Sequence, residues 1–259
     1  MKKIFLPILL MILFMTGCTD ESAPHEKLVI GVDDEFAPMT FYDDHNNLVG
    51  FDIDLARETA KRMKVDVEFK SIDWHNKEAE ITSGNVDMIW SGCDIMDEYK
   101  DYMIFSKPYM DNRQILLIRR EDKKNITSLG NLEGKVVGTQ AGSNSETYVN
   151  DNAPLKKSFK EFKTYTNIKD GFEALSNGTF DALIIDEIAG RYEIMRHPNR
   201  FTIVEVTVGP VSEFGIGFRK DDTKLRDRVQ TVFDSMIKDG TARQISENWF
   251  QADLIKYRR

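Results

Sequence analysis

Strand-length apolar runs alternate with helix-period segments along almost the whole of this chain, and that alternation narrows its fold more than any other feature. Residues 27–32 (KLVIGV) form a buried-strand run, and residues 51–63 follow with Leu55, Ala56, Ala60 and Met63 on one helical face. Asp52 and Asp54 fall in the first turn of that helix, where negative charge suits the helix dipole. Residues 65–69 are the next strand run, 77–83 a short helix ended by Gly84, and 86–90 (VDMIW) another buried strand. This β-α-β order predicts a mainly parallel sheet with helices on its faces.

A second alternating set begins near Gln114. Strand runs at 115–118 and 135–139 lead to a Gly-Ser turn and a helix from about Ser145; a strand from Thr164, a helix over 168–175, a strand over 180–185 and a helix over 187–195 follow. Residues 214–218 (FGIGF) read as a late strand, and 225–238 as an amphipathic helix that aligns Leu225, Val229, Val232, Phe233 and Met236. Gly240 ends it, and Thr241 is placed to cap a last helix running to Phe250. Two βα sets of similar size predict two lobes, with a ligand cleft between them near the carboxyl ends of the strands.

The N-terminus sets the compartment. Lys2 and Lys3 precede an apolar run over 4–14, broken by Pro7, and then Met15-Thr16-Gly17-Cys18. Positive, apolar and small residues in that order form a secretory signal, and the run falls short of the about 20 apolar residues that span a bilayer. Its end resembles a bacterial lipobox, with Met15 where leucine is more usual. The resemblance implies cleavage after residue 17, a lipid on Cys18, a polar tether over 18–26, and an extracytoplasmic protein anchored to the cell membrane. Cys93 is then left without a disulfide partner and reads as a small buried hydrophobe.

Composition excludes little else. The 259 residues are 41% hydrophobic and 30% charged with a formal charge of −8, an ordinary globular balance with no basic stripe for nucleic acid. His25, His45, His75 and His197 are scattered without metal-ligand spacing, and no phosphate loop, nucleophile elbow or dinucleotide fingerprint stands in a strand-turn-helix setting. No cofactor, no metal and no catalytic residue is expected.

Five motifs then fall in order along the chain: Phe36-Ala37-Pro38; Gly50-Phe51-Asp52-Ile53-Asp54-Leu55-Ala56; Phe105-Ser106-Lys107-Pro108-Tyr109; Leu132 to Gly138 followed by Gly142-Ser143; and Gly178-Thr179-Phe180-Asp181-Ala182 followed by Asp186. In this order they resemble the family 3 bacterial solute-binding proteins, the polar amino-acid binders of ABC importers, over residues 27 to about 250. The resemblance implies a bilobal α/β periplasmic-binding-protein-like type II fold. Lobe 1 would comprise residues 27–112 and 208–255, lobe 2 residues 113–207, and two crossing strands would form the hinge. It also implies a monomer that captures a small polar solute, an amino acid or a cationic relative, for an ABC permease.

The family's site maps here residue by residue. Asp186 takes the place of the ammonium-binding aspartate, and its alternative reading is a helix cap. Asp33 faces the ligand side chain or holds a turn. Phe36 and Trp74 would flank the ligand, Ser91 and Gly92 line it, and Gly142, Ser143 and Asn144 offer a helix N-terminus to an anion or carbonyl. Trp90, inside a strand, reads as core. The departure lies between them. Where the family carries a carboxylate-gripping arginine stands Tyr99, and where a hydroxyl residue often precedes it stands Asp94. An ionised Asp94 at about 4 Å from a ligand carboxylate would cost about 4 kcal/mol at an effective dielectric near 20. Three readings follow: a ligand without an α-carboxylate, an Asp94 that merely caps a helix near Asp97 while Lys100 or Arg113 grips the carboxylate, or a decayed site that binds nothing. Two other functions share the sequence features. One is a ligand-sensing lipoprotein feeding a membrane receptor. The other is a cyclohexadienyl-dehydratase-like enzyme on the same fold, whose prephenate-like dianion Asp94 disfavours.

Overall fold

The structure, a computed structural model, describes residues 26–256. The leader, Cys18 and all of the tether except Glu26 lie outside the described residues. Glu26 belongs to the folded part rather than to a tether: its carboxylate meets the Arg228 guanidinium through two 2.8 Å hydrogen bonds, and its carbonyl accepts the Asp66 amide.

The chain opens with β1 (Lys27–Val32) and a small hairpin sheet of β2 (Glu35–Phe36), β3 (Thr40–Tyr42) and β4 (Leu48–Val49). α1 (Phe51–Met63), β5 (Asp66–Ser71), α2 (Lys77–Thr82), β6 (Met88–Asp94) and β7 (Met103–Phe105) follow, and the long β8 (Met110–Arg119) leaves this half. The second half holds β9 (Val136–Gln140), α3 (Asn144–Asp151), α4 (Ala153–Ser158), β10 (Glu161–Tyr165), α5 (Ile168–Ser176), β11 (Ala182–Asp186) and α6 (Glu187–Arg196). β12 (Phe201–Arg219) returns to the first half, which α7 (Thr223–Lys238) and α8 (Thr241–Phe250) complete.

The main sheet runs β10-β9-β11-β8-β12-β6-β1-β5, with β7 on β12. β1 pairs in parallel with β5 and β6, and β9 with β10 and β11, as βα crossovers require. β8 and β12 pair antiparallel to each other and join the halves, and their register shifts twice, between Val204 and Thr207 and between Val208 and Ser212. This is the bilobal type II architecture, with two crossing strands as its hinge. None of the described helices is long and apolar enough to cross a membrane.

The core follows the helical and strand faces. Leu55 and Ala56 of α1 and Val229, Phe233 and Met236 of α7 are buried together, and Trp90 meets the Phe233 ring edge-on at 6.0 Å. Each such aliphatic or aromatic side chain contributes about 1.5–3 kcal/mol of transfer free energy. Gly50 is the backbone pivot of the Gly-Phe-Asp-Ile-Asp motif: its φ is +141°, and a Cβ there would lie 2.1 Å from the Met39 carbonyl oxygen.

Several boundaries differ from the sequence reading. β6 begins at Met88 and continues to Asp94, so Asp94 is a strand residue. β12 is 19 residues long rather than the five of the FGIGF run, because its polar, bulged stretch hides a strand that pairs β8. The small hairpin sheet has no apolar run long enough to betray it. Thr241 does not cap α8; Gly240 holds that position, and the Thr241 hydroxyl donates to Asp239 instead.

Candidate functional site

The strand ends of both halves converge on one narrow cavity. Asp33, Phe36, Trp74, Ser91, Gly92, Asp94 and Tyr99 line it from the first half, and Gln140, Ser143, Asn144 and Asp186 from the second. Its interior is about 20 Å³, enough for about one water. The halves are drawn together over it. The Gln140 amide donates to Asp33 at 2.6 Å, Tyr99 OH to the Gly142 carbonyl at 2.9 Å, and Thr147 Oγ1 to Glu98 at 2.8 Å.

Of the residues expected from the sequence, all but Gly142 line the cavity. Gly142 stands just behind it: its carbonyl accepts from both Tyr99 and Lys77, and its φ of +72° turns the chain into α3. Ser143 caps α3 by accepting the Glu146 amide and donates its own hydroxyl to Gln140 O. Ser91 is committed to the frame as well; its hydroxyl accepts the Asp33 amide at 3.0 Å and pairs with Thr40 Oγ1 at 2.5 Å.

Gly92 sits in the left-handed region at φ +54°, and a Cβ there would come within 2.4 Å of the Phe36 ring. Its amide donates to Asp52 at 2.6 Å, and Tyr109 OH donates to the same carboxylate oxygen at 2.9 Å. Asp52 thus stands in the first turn of α1, as expected, and holds two buried donors there. It is fully buried, and it fixes the part of β6 that presents Gly92 to the cavity. Gly92→Ala is expected to displace Phe36 and cost about 1–3 kcal/mol of stability, read as a lower urea midpoint. An unchanged midpoint would mean that the Phe36 ring yields freely.

Three carboxylates face this cavity. Asp94 and Asp186, one from each half, share a donor: Asn112 Nδ2 reaches Asp94 at 3.1 Å and Asp186 at 2.5 Å. Ser212 donates to Asp94 at 2.6 Å, the Asn144 amide reaches Asp94 as well, and Gln114 donates to Asp186 at 2.6 Å. Burial, and then the neighbouring Asp186 charge, pushes the Asp94 carboxyl up to about 7; burial raises Asp186 too. Asp33 is pushed up to about 6 by burial, against the hydrogen bonds it accepts from Gln140 and the Glu35 amide. The Asp186 side chain makes no capping hydrogen bond to α6, and Asp94 caps nothing: Asp97, ahead of the short 3₁₀ turn, has no side-chain cap either.

The two cations suggested as carboxylate partners point elsewhere. Lys100 pairs with Asp97 on the exposed surface at 2.7 Å. Arg113 pairs with Glu187 and lines an outer pocket. Strand geometry explains this: side chains alternate across β8, so Asn112 and Gln114 face the acids while Arg113, between them, faces away. Lys77 escaped the sequence reading altogether. It is buried, its ammonium lies 4.4 Å above the Tyr99 ring and 5.3 Å from the Trp74 ring, and it donates to the Gly142 carbonyl at 2.7 Å. Burial lowers its pKa. It lines a second outer pocket, with Glu98 and Tyr102, which shares Tyr99 with the cavity, so among the described residues the cavity lining contains no Lys, Arg or His. Gln140, Asn112, Gln114 and Ser212 were also missed; the polar pair at alternate positions of an otherwise apolar strand was the available signal.

Known proteins share both this sequence pattern and this shape. The family model for bacterial extracellular solute-binding proteins, family 3, matches residues 28–252. The L-cystine-binding protein TcyJ of Escherichia coli is 28% identical over 93% of this chain and 88% of its own length. The histidine-binding periplasmic protein of Salmonella typhimurium is 27% identical over 98% of this chain and 99% of its own. Among solved structures, an ABC uptake transporter substrate binding protein from Streptococcus pneumoniae with bound histidine has a TM-score of 0.85 and 34% identity, covering 89% of this chain and 95% of that one.

Proposed function

Because the chain belongs to the bacterial extracellular solute-binding proteins of family 3, matched over residues 28–252, we propose that it is the substrate-binding component of an ABC importer. It captures a small polar solute, an amino acid or an amine related to one, between its lobes and presents it to a membrane permease. The observation that carries this reading is the cavity at the strand ends, to which both halves contribute acids, the first half its aromatics and the second a helix N-terminus. The relatives named above are a cystine-binding and a histidine-binding protein.

In this reading lobe 1 is residues 27–112 with 208–255, lobe 2 is residues 113–207, and β8 and β12 flex where their register shifts. A cavity of about 20 Å³ admits no amino acid, so the solute enters when the lobes swing apart and the Gln140–Asp33 hydrogen bond opens. The lipobox-like Met15 to Cys18 supports a lipid on Cys18 that holds a monomer at the outer face of the cell membrane, within reach of its permease.

A thermal-unfolding screen of the full chain in detergent tests the reading. The panel sets the twenty amino acids beside amines, betaines and guanidino compounds. At least one solute is expected to raise the midpoint saturably, since ligand at about 100 times its Kd adds about 2.7 kcal/mol to the folded state. A panel without a single saturable shift would sink the proposal.

A further inference from the structure

We propose that the cleft selects small ammonium or guanidinium compounds that lack a free carboxylate, an inference that rests on the solute-capture reading above and names the ligand class for it. The site is the closed interlobe cavity; the class follows from the charges in its wall. Asp33, Asp94 and Asp186 contribute carboxylates, and among the described residues no lining side chain carries a positive charge. Among the described residues, the hydrogen-bond partners of these acids are neutral donors: Gln140 and the Glu35 amide on Asp33, Asn112, Ser212 and Asn144 on Asp94, Asn112 and Gln114 on Asp186. Neutral amides orient a carboxylate without cancelling its charge, so the compensating cation is left to the ligand.

The side-chain bonds from Asn112, Ser212 and Gln114 all end on Oδ1 of Asp94 or Asp186. One N–H-rich head placed between the two carboxylates would serve an acid from each lobe, so its charge would close the cleft as well as fill it. Among the described residues no three His, Cys, Asp or Glu side chains come together as metal ligands do, which favours an organic cation. Phe36, Trp74 and Tyr99 supply aromatic walls for such a cation.

A ligand carboxylate, by contrast, finds only the α3 N-terminus at Ser143 and Asn144, and Ser143 already spends its hydroxyl on Gln140 and the Glu146 amide. Lys77 is held behind Tyr99 by the Gly142 and Trp74 carbonyls. A free carboxylate would thus meet Asp94 with no cation to offset it.

Matched pairs that differ by one α-carboxylate test this by titration calorimetry on the full chain: putrescine against ornithine, cadaverine against lysine, agmatine against arginine. The decarboxylated member is expected to bind at least about tenfold tighter wherever a pair binds, a ratio equivalent to about 1.4 kcal/mol. Asp94→Ser is expected to shrink that ratio by favouring the amino acid. Equal affinity or a preference for the carboxylated member overturns the ligand class while leaving solute capture intact. So does a protein that binds neutral or acidic amino acids and none of the amines. Failure of every pair together with every solute of the wider panel overturns both.

Discussion

The double variant Asp94→Ser, Tyr99→Arg is expected to bind α-amino acids about two to three orders of magnitude more tightly than the native chain does. Two terms add. Removing Asp94 removes a repulsion of about 4 kcal/mol for a carboxylate at about 4 Å and an effective dielectric near 20. A guanidinium in place of the Tyr99 phenol adds a charge-assisted, bidentate pair worth about 1.5–3 kcal/mol. Relaxation and the lost Tyr99–Gly142 bond between the lobes take back part of the sum. Each single change should do much less. Tyr99→Arg alone leaves Asp94 to pair with the new guanidinium, and Asp94→Ser alone leaves the carboxylate without a cation.

Lys77 modifies that expectation in a definite direction. Its ammonium lies 4.4 Å above the Tyr99 ring, so an arginine at this position meets a like charge. Adding Lys77→Met should therefore raise the amino-acid affinity of the double variant further. Titration calorimetry against arginine, histidine and glutamine reads all three proteins. If the double variant gains nothing for any of them, the carboxylate subsite lies away from Asp94 and Tyr99.

How much of this could be read in the sequence depends on the physical range of each signal. α1 appears with both boundaries and α8 with its end at Phe250, because apolar periodicity is local; the start of α8 was read one residue late. The two-lobe division was legible too, from two sets of βα alternation. β12 was legible only at its FGIGF end, because the rest of the strand is bulged, half-exposed and paired to β8, far earlier in the chain. The cavity lining came through the motif resemblance, residue for residue except Gln140 and Gly142. The groups that hold the acids did not. Asn112 and Ser212 are distant in sequence and meet Asp94 only because β8 and β12 cross beside β6. The fate of Arg113 was decidable in principle, since the same alternation that sends Asn112 and Gln114 to the acids sends it to Glu187. Asp52 shows a further case: the local rule placed it in the first turn of α1, and only tertiary packing reveals its burial beneath Gly92 and Tyr109.

The unliganded protein is expected to lose stability as pH rises from 5 to 8, against the common pattern of acid-sensitive folds. The sign follows from which carboxyls are raised. Asp33 titrates near 6 and Asp52 and Asp94 near 7 in the folded chain, each against 3.8 when exposed, and burial is the main cause in all three. Between the two values the folded state holds protons that the unfolded state has lost. The stabilisation is thus complete below about pH 4 and disappears as pH climbs through 6 and 7. The lowered carboxyls, among them Glu58, Glu187 and Asp239, act in the other direction and only below their ordinary values, so they do not reach this window. Asp94 faces Asp186, Asn112, Ser212 and Asn144 at short range, and it also interacts with the charge of Lys77. Each tenfold difference in proton affinity between the folded and unfolded chain is worth about 1.4 kcal/mol, so the set should cost on the order of 3–6 kcal/mol between pH 5 and 8. Urea midpoints across that range measure it, with Asp94→Asn and Asp52→Asn each expected to flatten the curve. A cationic ligand should reverse the trend, because it takes the place of the protons: calorimetry near pH 6.5 in buffers of different ionisation enthalpy should detect proton release on binding. A midpoint that rises from pH 5 to 8 would mean that these acids are ionised and paired in the folded chain, and that the cleft carries no stored demand for a cation.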